Sequence, residues 1–352
     1  MSPVTWLLTG GAGYIGSHVA RALRATGREV VVLDDLSTGL ARRVPPDIPL
    51  VQASVLDSAT VTDVLRRYRI DGVIHLAGKK SVSESVADPG YYYQENVVGL
   101  WRLLAAMEAA GVTRLVFSSS AAVYGEACGA AVDETSGTVP LSPYGWTKLA
   151  GEDLIRHAGD VDGLRWLTLR YFNVVGAGSP ALGDTTVSNL VPMTFRALDQ
   201  GRRPRIFGDD YPTRDGSCIR DYVHVADIAD AHVVAAARLE GPGAEVNTVY
   251  NVGRGVGVSV KEVLDVVRET TGRTFQPDIV RRREGDAPAV VAQVTAIDQA
   301  LGWRAQRDLT DMIRSAWAGW RTPIPAPIPH RLGNERPHES TGQLLLALGE
   351  RH

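Results

Sequence analysis

The chain is poor in several features that would point to a particular environment. It has two cysteines in 352 residues, Cys128 and Cys218, and they lack the spacing of metal ligands. Two distant cysteines are typical of reduced, unpaired thiols, so we expect a cytoplasmic protein without a disulfide framework. The N-terminus also lacks the basic start of a signal peptide and leads directly into an apolar segment, so we predict no cleaved leader.

Long runs of one kind of residue are missing as well. No apolar stretch reaches the roughly 20 residues that cross a bilayer. No run of Lys and Arg is longer than Arg281-Arg282-Arg283, and the formal net charge is -3. We therefore expect neither a membrane nor a nucleic acid as a partner. With 44% apolar and 22% charged residues, the chain has the composition of an ordinary globular protein with a substantial core.

The first recognisable unit is a glycine-rich turn between a strand and a helix. Val4 to Thr9 predicts a buried strand, Gly10 to Gly16 the turn, and the residues through Leu23 an amphipathic helix. Glycines at positions 10, 13 and 16 allow a tight turn, close approach of a pyrophosphate and close packing of the helix on the sheet. This pattern indicates a dinucleotide-binding βαβ unit whose helix N-terminus faces the anion.

The second predicted strand, Val30 to Leu33, ends in Asp34 and Asp35. This is where the ribose-binding acid of a dinucleotide-binding unit is expected. A carboxylate at Asp34 can accept hydrogen bonds from both ribose hydroxyls and would repel a 2′-phosphate. We therefore predict NAD rather than NADP as the cofactor.

The order of predicted elements favours an α/β fold: a doubly wound parallel (Rossmann) sheet with a smaller α/β substrate-binding lobe. Gly, Pro and Ser dominate residues 176–188, which indicates a crossing into the second lobe. A capping box at Ser259 to Glu262 predicts the start of a helix that ends near Thr271. We expect a cofactor domain at residues 1–175, with part of 223–252, an interleaved substrate-binding lobe at 176–320, and a Pro-rich tail at 321–352.

A heptapeptide, Ser142 to Lys148, carries residues suited to acid/base chemistry. Pro143 suits a first helical turn, and Tyr144 and Lys148, four apart, lie on one face of the predicted helix, which we expect to continue to about His157. A tyrosine with an ordinary pKa of about 10 is a poor base at neutral pH. A neighbouring ammonium group favours the phenolate. Alone, such a pair is more often an ordinary surface Tyr and Lys, so its interpretation depends on its neighbours.

Other candidate functional residues lie at predicted strand ends and in charged loops. Ser120 ends the predicted strand 114–120, where ligands of parallel sheets collect, although a serine that only caps a loop is an equally good interpretation. His75 lies inside an apolar strand, so we predict a structural role for it. Arg220 and Arg283 are candidates for binding a diphosphate, because guanidinium groups match phosphate oxygens, whereas charge clusters of this kind are usually only solvated loops.

Six motifs together resemble the extended short-chain dehydrogenase/reductase family. Three mark the superfamily: Thr9 to His18, Ser118 to Gly125, and Ser142 to Tyr144. Three others sharpen the resemblance toward its nucleotide-sugar epimerases: Arg170 to Asn173, Arg220 to Val225, and Arg282 to Asp286. The resemblance covers Val4 to about Trp320. It implies an NAD-dependent isomerase that inverts C4 of UDP-hexoses through a 4-keto intermediate, and a homodimer that packs helices near 91–110 and 144–157.

Carried over position by position, the resemblance also implies residue roles. Tyr144 would be the acid and base, Lys148 would lower its pKa and hold the nicotinamide ribose, and Ser120 would bind the sugar oxygen at C4. Further cofactor contacts would fall on Gly10, Gly13, Tyr14, Ile15, Gly16, Asp34, Asp35, Lys80 and Asn96. Contacts with the uridine diphosphate would fall on Asn173, Asn189, Arg220, Arg283 and Asp286, with Phe207 beside the uracil.

The sequence also departs from the family pattern and leaves alternatives to weigh. Ser54 stands where the family usually has an Asp that reaches the adenine, and the connection from Asn173 to Asn189 is short. Val290 matches a position that is either a large Tyr or a small residue admitting N-acetylated sugars, so we expect some activity on UDP-N-acetylglucosamine.

Two other functions fit the same fold. A nucleotide-sugar 4,6-dehydratase would need an acid and a base after the strand-end hydroxyl, where this chain has Ala121 and Ala122. A non-catalytic NAD-binding protein could dispense with Tyr144 and Lys148, which are both present.

Overall fold

The structure, a computed structural model, describes residues 3–126, 131–242, 246–283 and 286–322. Its strands in chain order are β1 (Thr5–Thr9), β2 (Glu29–Asp34), β3 (Leu50–Gln52), β4 (Gly72–His75), β5 (Arg114–Ser120), β6 (Ala131–Val132), β7 (Arg165–Tyr171), β8 (Asn173–Val175), β9 (Arg205–Phe207), β10 (Ile219–His224), β11 (Thr248–Val252), β12 (Gly257–Ser259), β13 (Asp278–Val280) and β14 (Ala289–Ala292).

The helices in chain order are α1 (Tyr14–Ala25), α2 (Ser58–Arg67), α3 (Val82–Ala87), α4 (Pro89–Tyr93), α5 (Gly99–Ala110), α6 (Pro143–Asp162), α7 (Leu190–Asp199), α8 (Val225–Glu240), α9 (Val260–Thr271), α10 (Thr295–Leu301) and α11 (Leu309–Arg321). A π-helical segment, Gln94–Val98, joins α4 to α5. Short 3-10 turns lie at Ala41–Arg43, Ala121–Tyr124 and Pro180–Leu182. Among the described residues, none of these helices combines the length and the apolar character that a bilayer crossing needs.

The largest sheet has seven strands in the order β3-β2-β1-β4-β5-β7-β11, and every pairing in it is parallel. The chain runs outward from β1 to β3 and then returns to β4 on the other side of β1. In sheets of this kind ligands bind where the order reverses, beyond the carboxyl ends of the strands. The predicted doubly wound parallel sheet is confirmed, and its switch point lies between β1 and β4.

Helices cover both faces of the large sheet. Leu7 contributes to a core cluster with α2, α5 and α6, whereas its neighbour Leu8 contributes to a second cluster with α1 and α8. Successive strand residues point to opposite faces, so a strand covered on both sides needs apolar residues at consecutive positions. The near-continuous apolar runs in the sequence therefore reflect burial on both faces of the sheet.

The second lobe is built on a smaller sheet in the order β12-β10-β14-β6, with β8 also paired to β10. Strands β9 and β13 form a separate parallel pair. Helices α7, α9 and α11 pack together around Val191, Phe195, Val263 and Met312. The capping box that opens α9 is present: Ser259 Oγ accepts from the Glu262 N–H at 3.1 Å, and the Ser259 N–H donates to Glu262 Oε2 at 2.7 Å.

The chain leaves the large sheet after β7 and later returns to it. Helix α8 packs on α1, and β11 pairs with β7 along its whole length, from Thr248 opposite Leu167 to Val252 opposite Tyr171. The edge strand of the large sheet is thus contributed by a segment that follows β8, α7, β9 and β10 in the chain.

Three predicted elements differ in extent from those observed. The helix predicted to end near His157 continues to Asp162, where Gly163 (φ +67°) provides the left-handed residue that ends it. The sequence of residues 50–55 predicts a third strand, but β3 ends at Gln52, because Ser54 begins a turn in which its hydroxyl accepts from the Leu56 N–H at 3.1 Å. Helix α11 includes Arg321, the first residue of the predicted tail, and residues 323–352 lie outside the described part of the chain.

Candidate active site

The glycine-rich turn lies between β1 and α1, at the carboxyl edge of the large sheet. Gly10 has a φ of +72°, and its N–H donates to the Leu33 carbonyl at 2.8 Å. A Cβ at Gly10 would come within 2.6 Å of the Ala77 backbone nitrogen, and a Cβ at Gly16 would overlap the Gly10 carbonyl oxygen. Both positions therefore require glycine, because the turn packs against the end of β4 and α1 packs against the turn.

The first turn of α1 is left open to an anion. Gly13 is the N-cap and has no side chain to bond the first backbone N–H groups of the helix. Such N–H groups carry a partial positive charge and bind phosphate oxygens. The turn from Gly10 to Gly16 thus has the geometry of a pyrophosphate site.

Asp34 ends β2 with its carboxylate directed at this turn. Its Oδ2 accepts from the Ala12 N–H at 2.9 Å, and its Oδ1 accepts from the Leu36 N–H at 2.8 Å. Burial raises the pKa of the Asp34 carboxyl, and the two backbone bonds oppose that shift. Asp35 is exposed and accepts from the Ser37 hydroxyl at 2.7 Å.

An open cleft of about 560 Å³ begins at Gly10 and runs along the ends of β2 and β4. Asp34, Asp35, Ser54 and Lys79 line it. Two adjacent carboxylates beside a glycine turn and an uncapped helix N-terminus are the donor and acceptor set that an adenosine diphosphate moiety requires. The residues present therefore fit a dinucleotide, with the ribose near Asp34.

Two of the predicted cofactor residues use their side chains within the fold. Tyr14 donates its hydroxyl to the Gly176 carbonyl at 2.5 Å. Asn96 donates to the Lys79 carbonyl and to Thr147 Oγ1, each at 3.0 Å, and accepts from the Lys79 N–H at 2.8 Å. Tyr14 and Ile15 could thus reach a cofactor through their backbone N–H groups, whereas the amide of Asn96 fixes the loop that follows β4.

Lys79 lies in the cleft, and the predicted contact Lys80 lies beside it. Lys79 Nζ donates to Ser37 Oγ at 2.9 Å across the cleft, whereas Lys80 is exposed with Nζ 5.9 Å from the centroid of the Tyr14 ring. Sequence reasoning missed Lys79 and Ser37. The available signal was that Lys79 directly follows Gly78, just beyond the end of β4.

Helix α6 brings Tyr144 and Lys148 to the end of β5. Ser142 caps the helix by accepting from the Gly145 N–H at 3.2 Å, and Pro143 occupies the first turn. A Cβ at Gly145 would come within 2.6 Å of the Ala122 carbonyl oxygen. The start of α6 can therefore lie against the turn that follows Ser120.

Ser120, Tyr144 and Lys148 meet at this point. The half-buried Tyr144 lies beside the Ser120 hydroxyl, which opposes the rise in the pKa of the tyrosine, and Ser120 Oγ accepts from the Ala122 N–H at 3.2 Å. Lys148 is buried and donates from Nζ to the Ser118 carbonyl at 2.9 Å. Ser120 therefore caps the turn, as one of its two interpretations predicted, and its contact with a substrate oxygen stays a prediction.

The pKa values of this pair are dominated by burial. Burial raises the pKa of Tyr144, and the Ser120 hydroxyl opposes the rise. Burial lowers the pKa of Lys148 to about 8, and the carboxylate of Glu152 opposes that fall. We expected Lys148 to lower the pKa of Tyr144. In the structure desolvation dominates the pKa of Tyr144, and the Lys148 ammonium bonds to the Ser118 carbonyl.

His75 occupies the structural position predicted for it. Its Nδ1 lies 2.7 Å from Thr9 Oγ1, and its ring stacks on Phe117. Burial lowers the pKa of His75 to about 3, so the ring is neutral at physiological pH.

Four of the predicted diphosphate- and sugar-binding residues lie on the smaller sheet or directly beside it. Arg220 on β10 donates to the Ala287 carbonyl at 2.8 Å and contacts Asp286 at 3.4 Å. Val290 on β14 is the register partner of Arg220. Asn173 begins β8 and pairs with Tyr222, two residues after Arg220.

The remaining predicted substrate residues lie on neighbouring segments of the second lobe. The guanidinium carbon of the exposed Arg283 lies 3.7 Å from the centroid of the Phe207 ring, at the end of β9. Asn189 is the N-cap of α7, and its side chain makes no capping bond. Glu284 and Gly285, which belong to the motif from Arg282 to Asp286, lie outside the described residues.

A small apolar cluster joins α6 to the smaller sheet. Leu149, next to Lys148, and Val290 both pack on a cluster that includes Val123, Tyr124 and Phe172. The turn after Ser120, the start of α6 and β14 are therefore held together by one set of contacts.

A family model described as the NAD dependent epimerase/dehydratase family matches residues 6–253. The chain belongs to this family. NAD is accordingly its cofactor, which agrees with the prediction from Asp34 and the glycine turn.

Known members of the family are similar over nearly their whole length. The chain is 43% identical to the UDP-glucose 4-epimerase of Azospirillum brasilense over 316 residues, which are 88% of this chain and 90% of that protein. It is 43% identical to the UDP-glucose 4-epimerase of Streptomyces lividans over 325 residues, 91% of this chain and 97% of that one.

A solved structure of a family member has the same fold. The UDP-glucose-4-epimerase from Stenotrophomonas maltophila, crystallised with bound NAD and formylated UDP-arabinopyranose, gives a TM-score of 0.86 at 40% identity. The match covers 90% of this chain and 98% of that one.

Proposed function

We propose that the chain is a UDP-glucose 4-epimerase, an isomerase that inverts C4 of UDP-hexoses such as UDP-galactose and UDP-glucose. The observation that carries the proposal is the meeting of Ser120, Tyr144 and Lys148 at the end of β5. It is supported by identity of 43% to proteins of that name over most of the chain.

In this proposal the chain's own residues handle the proton and hold the substrate. NAD, when bound in the cleft, supplies the group that accepts the C4 hydride and returns it. Tyr144 takes the proton of the 4-hydroxyl and gives it back after inversion, and the Ser120 hydroxyl orients the same oxygen. Because burial raises the pKa of Tyr144, its phenolate needs a nearby cation, and Lys148 lies one helical turn away.

Inversion also requires the 4-keto sugar to present its second face before the hydride returns. A firm hold on the diphosphate with a loose hold on the hexose permits this rotation. Arg220 and Arg283 supply guanidinium groups for the diphosphate, and Phe207 supplies an aromatic face for the uracil. Asn173, Asn189 and Asp286 are the polar groups that we assign to the remainder of the nucleotide.

We assign to Val290 the selection of which UDP-sugars are accepted as substrates. This side chain is half-buried beside the cluster that touches α6. A valine leaves more room there than a tyrosine, so we propose that the N-acetyl analogues are also substrates. The 4,6-dehydratase alternative has less support, because Ala121 and Ala122, which follow Ser120, offer neither an acid nor a base.

We also propose that the protein is a cytoplasmic homodimer. Large apolar side chains are exposed on the helices expected to pair, with Trp101 on α5 56% exposed and Trp146 on α6 45% exposed. The division into a cofactor domain, 1–175 with part of 223–252, and a substrate lobe, 176–320, belongs to the same proposal. Light scattering should give twice the chain mass, and the double variant Trp101→Glu/Trp146→Glu should give the chain mass. A monomeric unsubstituted chain would contradict this assignment.

The activity is tested by mixing the purified protein with UDP-galactose and measuring UDP-glucose over time by chromatography. We expect conversion to an equilibrium mixture from either direction without net consumption of NAD. Protein that holds NAD but converts neither UDP-sugar would refute the proposed function. Release of a dehydrated sugar would instead favour the dehydratase alternative.

A further inference from the structure

A buried carboxylate lies one helical turn beyond Lys148 and is not used in the mechanism above. Glu152 is on the same face of α6 as Tyr144 and Lys148, at a spacing of four residues from each to the next. Its side chain is 1% exposed, and it forms an ion pair with Arg170 of β7, whose side chain is 5% exposed. The function so far assigns no role to this pair.

The ion pair is fully hydrogen-bonded. Arg170 donates from Nε to Glu152 Oε1 at 2.9 Å and from one terminal nitrogen to Oε2 at 2.6 Å. The Ser119 hydroxyl donates to the same Oε1 at 2.5 Å. Such a bidentate ion pair fixes the position of both side chains. Glu152 therefore ties α6 to β5 at the residue immediately before Ser120.

The network continues from Arg170 into the substrate lobe. The other terminal nitrogen of Arg170 donates to the Tyr124 hydroxyl at 2.9 Å, and Tyr124 donates to Asn251 Oδ1 at 2.7 Å. Asn251 in turn donates to the Val132 carbonyl of β6 at 2.9 Å. One chain of bonds thus connects the catalytic helix, the turn after Ser120 and the smaller sheet.

We propose that Glu152 is a positioning residue that keeps Lys148 in its ammonium form and holds the end of β5 against α6. The proposal rests on the proposed function, because it assigns the pH range over which Tyr144 and Lys148 can work. A buried ion pair is by itself weak evidence for stability, since desolvation offsets much of the attraction. A local electrostatic role explains why a carboxylate is retained here.

The surroundings of Lys148 support this role. Its ammonium group lies 5.1 Å from the centroid of the Phe117 ring and donates to a strand carbonyl, and neither of these groups is an anion. Burial keeps His75 on β4 neutral, and it raises the pKa values of Tyr144 on α6 and Tyr171 on β7, so all three are uncharged near pH 7.

In contrast to these neutral groups, Glu152 is charged, and it is paired with Arg170. Glu152 is the group that raises the pKa of Lys148 against the effect of burial. Loss of its carboxylate removes the negative charge that opposes the effect of burial. This change disfavours the ammonium form of Lys148.

Lysine-selective NMR tests the proposal directly. The chain contains four lysines, Lys79, Lys80, Lys148 and Lys261, so protein labelled with ¹³C at the lysine ε-carbon gives few signals. The signal missing from a Lys148→Arg variant identifies Lys148. In the NAD-loaded protein, Glu152→Gln should lower the pKa of Lys148 by at least about 1 unit, the usual effect of a close opposite charge.

A matched control lies at the next position. Asp153 is on the same helix, carries the same charge and is half-exposed in a pair with Arg156. Asp153→Asn should leave the pKa of Lys148 unchanged. If the Glu152→Gln protein does not fold because Arg170 is left as an unpaired buried charge, the double variant Glu152→Gln/Arg170→Met removes both charges. This variant should still lower the pKa of Lys148. An unchanged Lys148 pKa in the folded variants overturns the proposal.

The pH profile of kcat separates positioning from general stabilisation. Activity should fall as Lys148 loses its proton, so the alkaline limb should move to lower pH in Glu152→Gln by the same amount as the NMR shift. A uniform loss of kcat at every pH, with the limb in place, would also overturn the proposal. If the unsubstituted protein binds NAD but converts no UDP-galactose, the proposed function fails, and the NMR shift alone decides the role of Glu152.

Discussion

Replacement of Tyr144 by phenylalanine removes one hydroxyl from the centre of the site. That hydroxyl lies beside Ser120, whose Oγ keeps its bond from the Ala122 N–H. The ring of Tyr144 packs edge-on against Tyr92 with 6.5 Å between centroids, and phenylalanine preserves this contact. The variant should therefore fold, bind NAD and bind UDP-sugar like the unsubstituted chain.

The Tyr144→Phe substitution should lower kcat much more than it lowers the free energy of unfolding. Losing one neutral hydroxyl contact changes the free energy of unfolding by no more than about 1 kcal/mol. Losing a general acid and base lowers kcat by about 10²–10⁴-fold, which is roughly 3–5 kcal/mol in the activation free energy. The ratio of these two effects distinguishes a catalytic hydroxyl from a structural one.

Tyr92→Phe is the matched control, because it makes the same chemical change in the adjacent ring. The Tyr92 hydroxyl donates to Glu84 Oε2 at 2.7 Å and accepts from the Ser81 N–H at 2.8 Å, away from Ser120. Its removal should lower the free energy of unfolding by about 2 kcal/mol, since the lost bond is to a carboxylate. The kcat should stay within a few-fold of the unsubstituted value.

The assay combines three measurements on each variant: NAD content after purification, urea unfolding, and initial rates of UDP-galactose conversion. A Tyr144→Phe protein with normal NAD content and a kcat within about tenfold of the unsubstituted chain would refute the acid/base assignment. A Tyr92→Phe protein that loses activity as completely as Tyr144→Phe would show that the effect comes from packing of the two rings.

Three further predictions concern the cofactor, the sugar and stability. Asp34→Asn keeps the size of the side chain but removes the charge that repels a 2′-phosphate, so the ratio of NADP to NAD dissociation constants should fall at least about tenfold; an unchanged ratio in calorimetric titrations would contradict the ribose assignment. Val290→Tyr should lower the rate on UDP-N-acetylglucosamine relative to UDP-glucose, and equal rate ratios for the two proteins would count against Val290. Burial lowers the pKa values of His18, His224 and His232 to about 4, so the unfolded chain binds more protons than the folded one between about pH 6.5 and 4. The free energy of unfolding should therefore fall as the pH drops from 7 to 5, by about 2 kcal/mol for each histidine, and urea unfolding that gives equal values at the two pH values would show that these rings are not held neutral.

Local sequence patterns were sufficient for most of the large sheet. Strand β5 is observed over the predicted residues, Arg114–Ser120. Its consecutive apolar residues are those of a strand buried on both faces of a parallel sheet. The junction of Ser120 with Tyr144 was also accessible from sequence. One residue ends a strand and the other begins a helix, and both ends lie on the same edge of a parallel sheet.

Contacts between distant segments could not be obtained in this way. The bond from Tyr14 to the Gly176 carbonyl depends on how the second lobe lies against the first. The packing of Arg283 on Phe207 depends on the pairing of distant segments within the second lobe. The direction of the Tyr144 pKa shift also required the structure, because desolvation depends on every neighbour of the ring and not on the spacing to Lys148. The spacing of four residues between Lys148 and Glu152 is visible in the sequence, but the ion-pair partner of Glu152, Arg170, lies on the distant strand β7.

The late position of β11 in the chain has a consequence for synthesis. Strand β7 has its outer neighbour only when Val252 has been made, and the intervening segment, of about 80 residues, takes roughly 4 to 16 s at ordinary translation rates. During that interval the backbone groups along one edge of β7 have no strand beside them, a condition that favours pairing with other chains. A nascent chain of about 175 residues should accordingly depend on chaperones, and this dependence should end once translation has passed Val252.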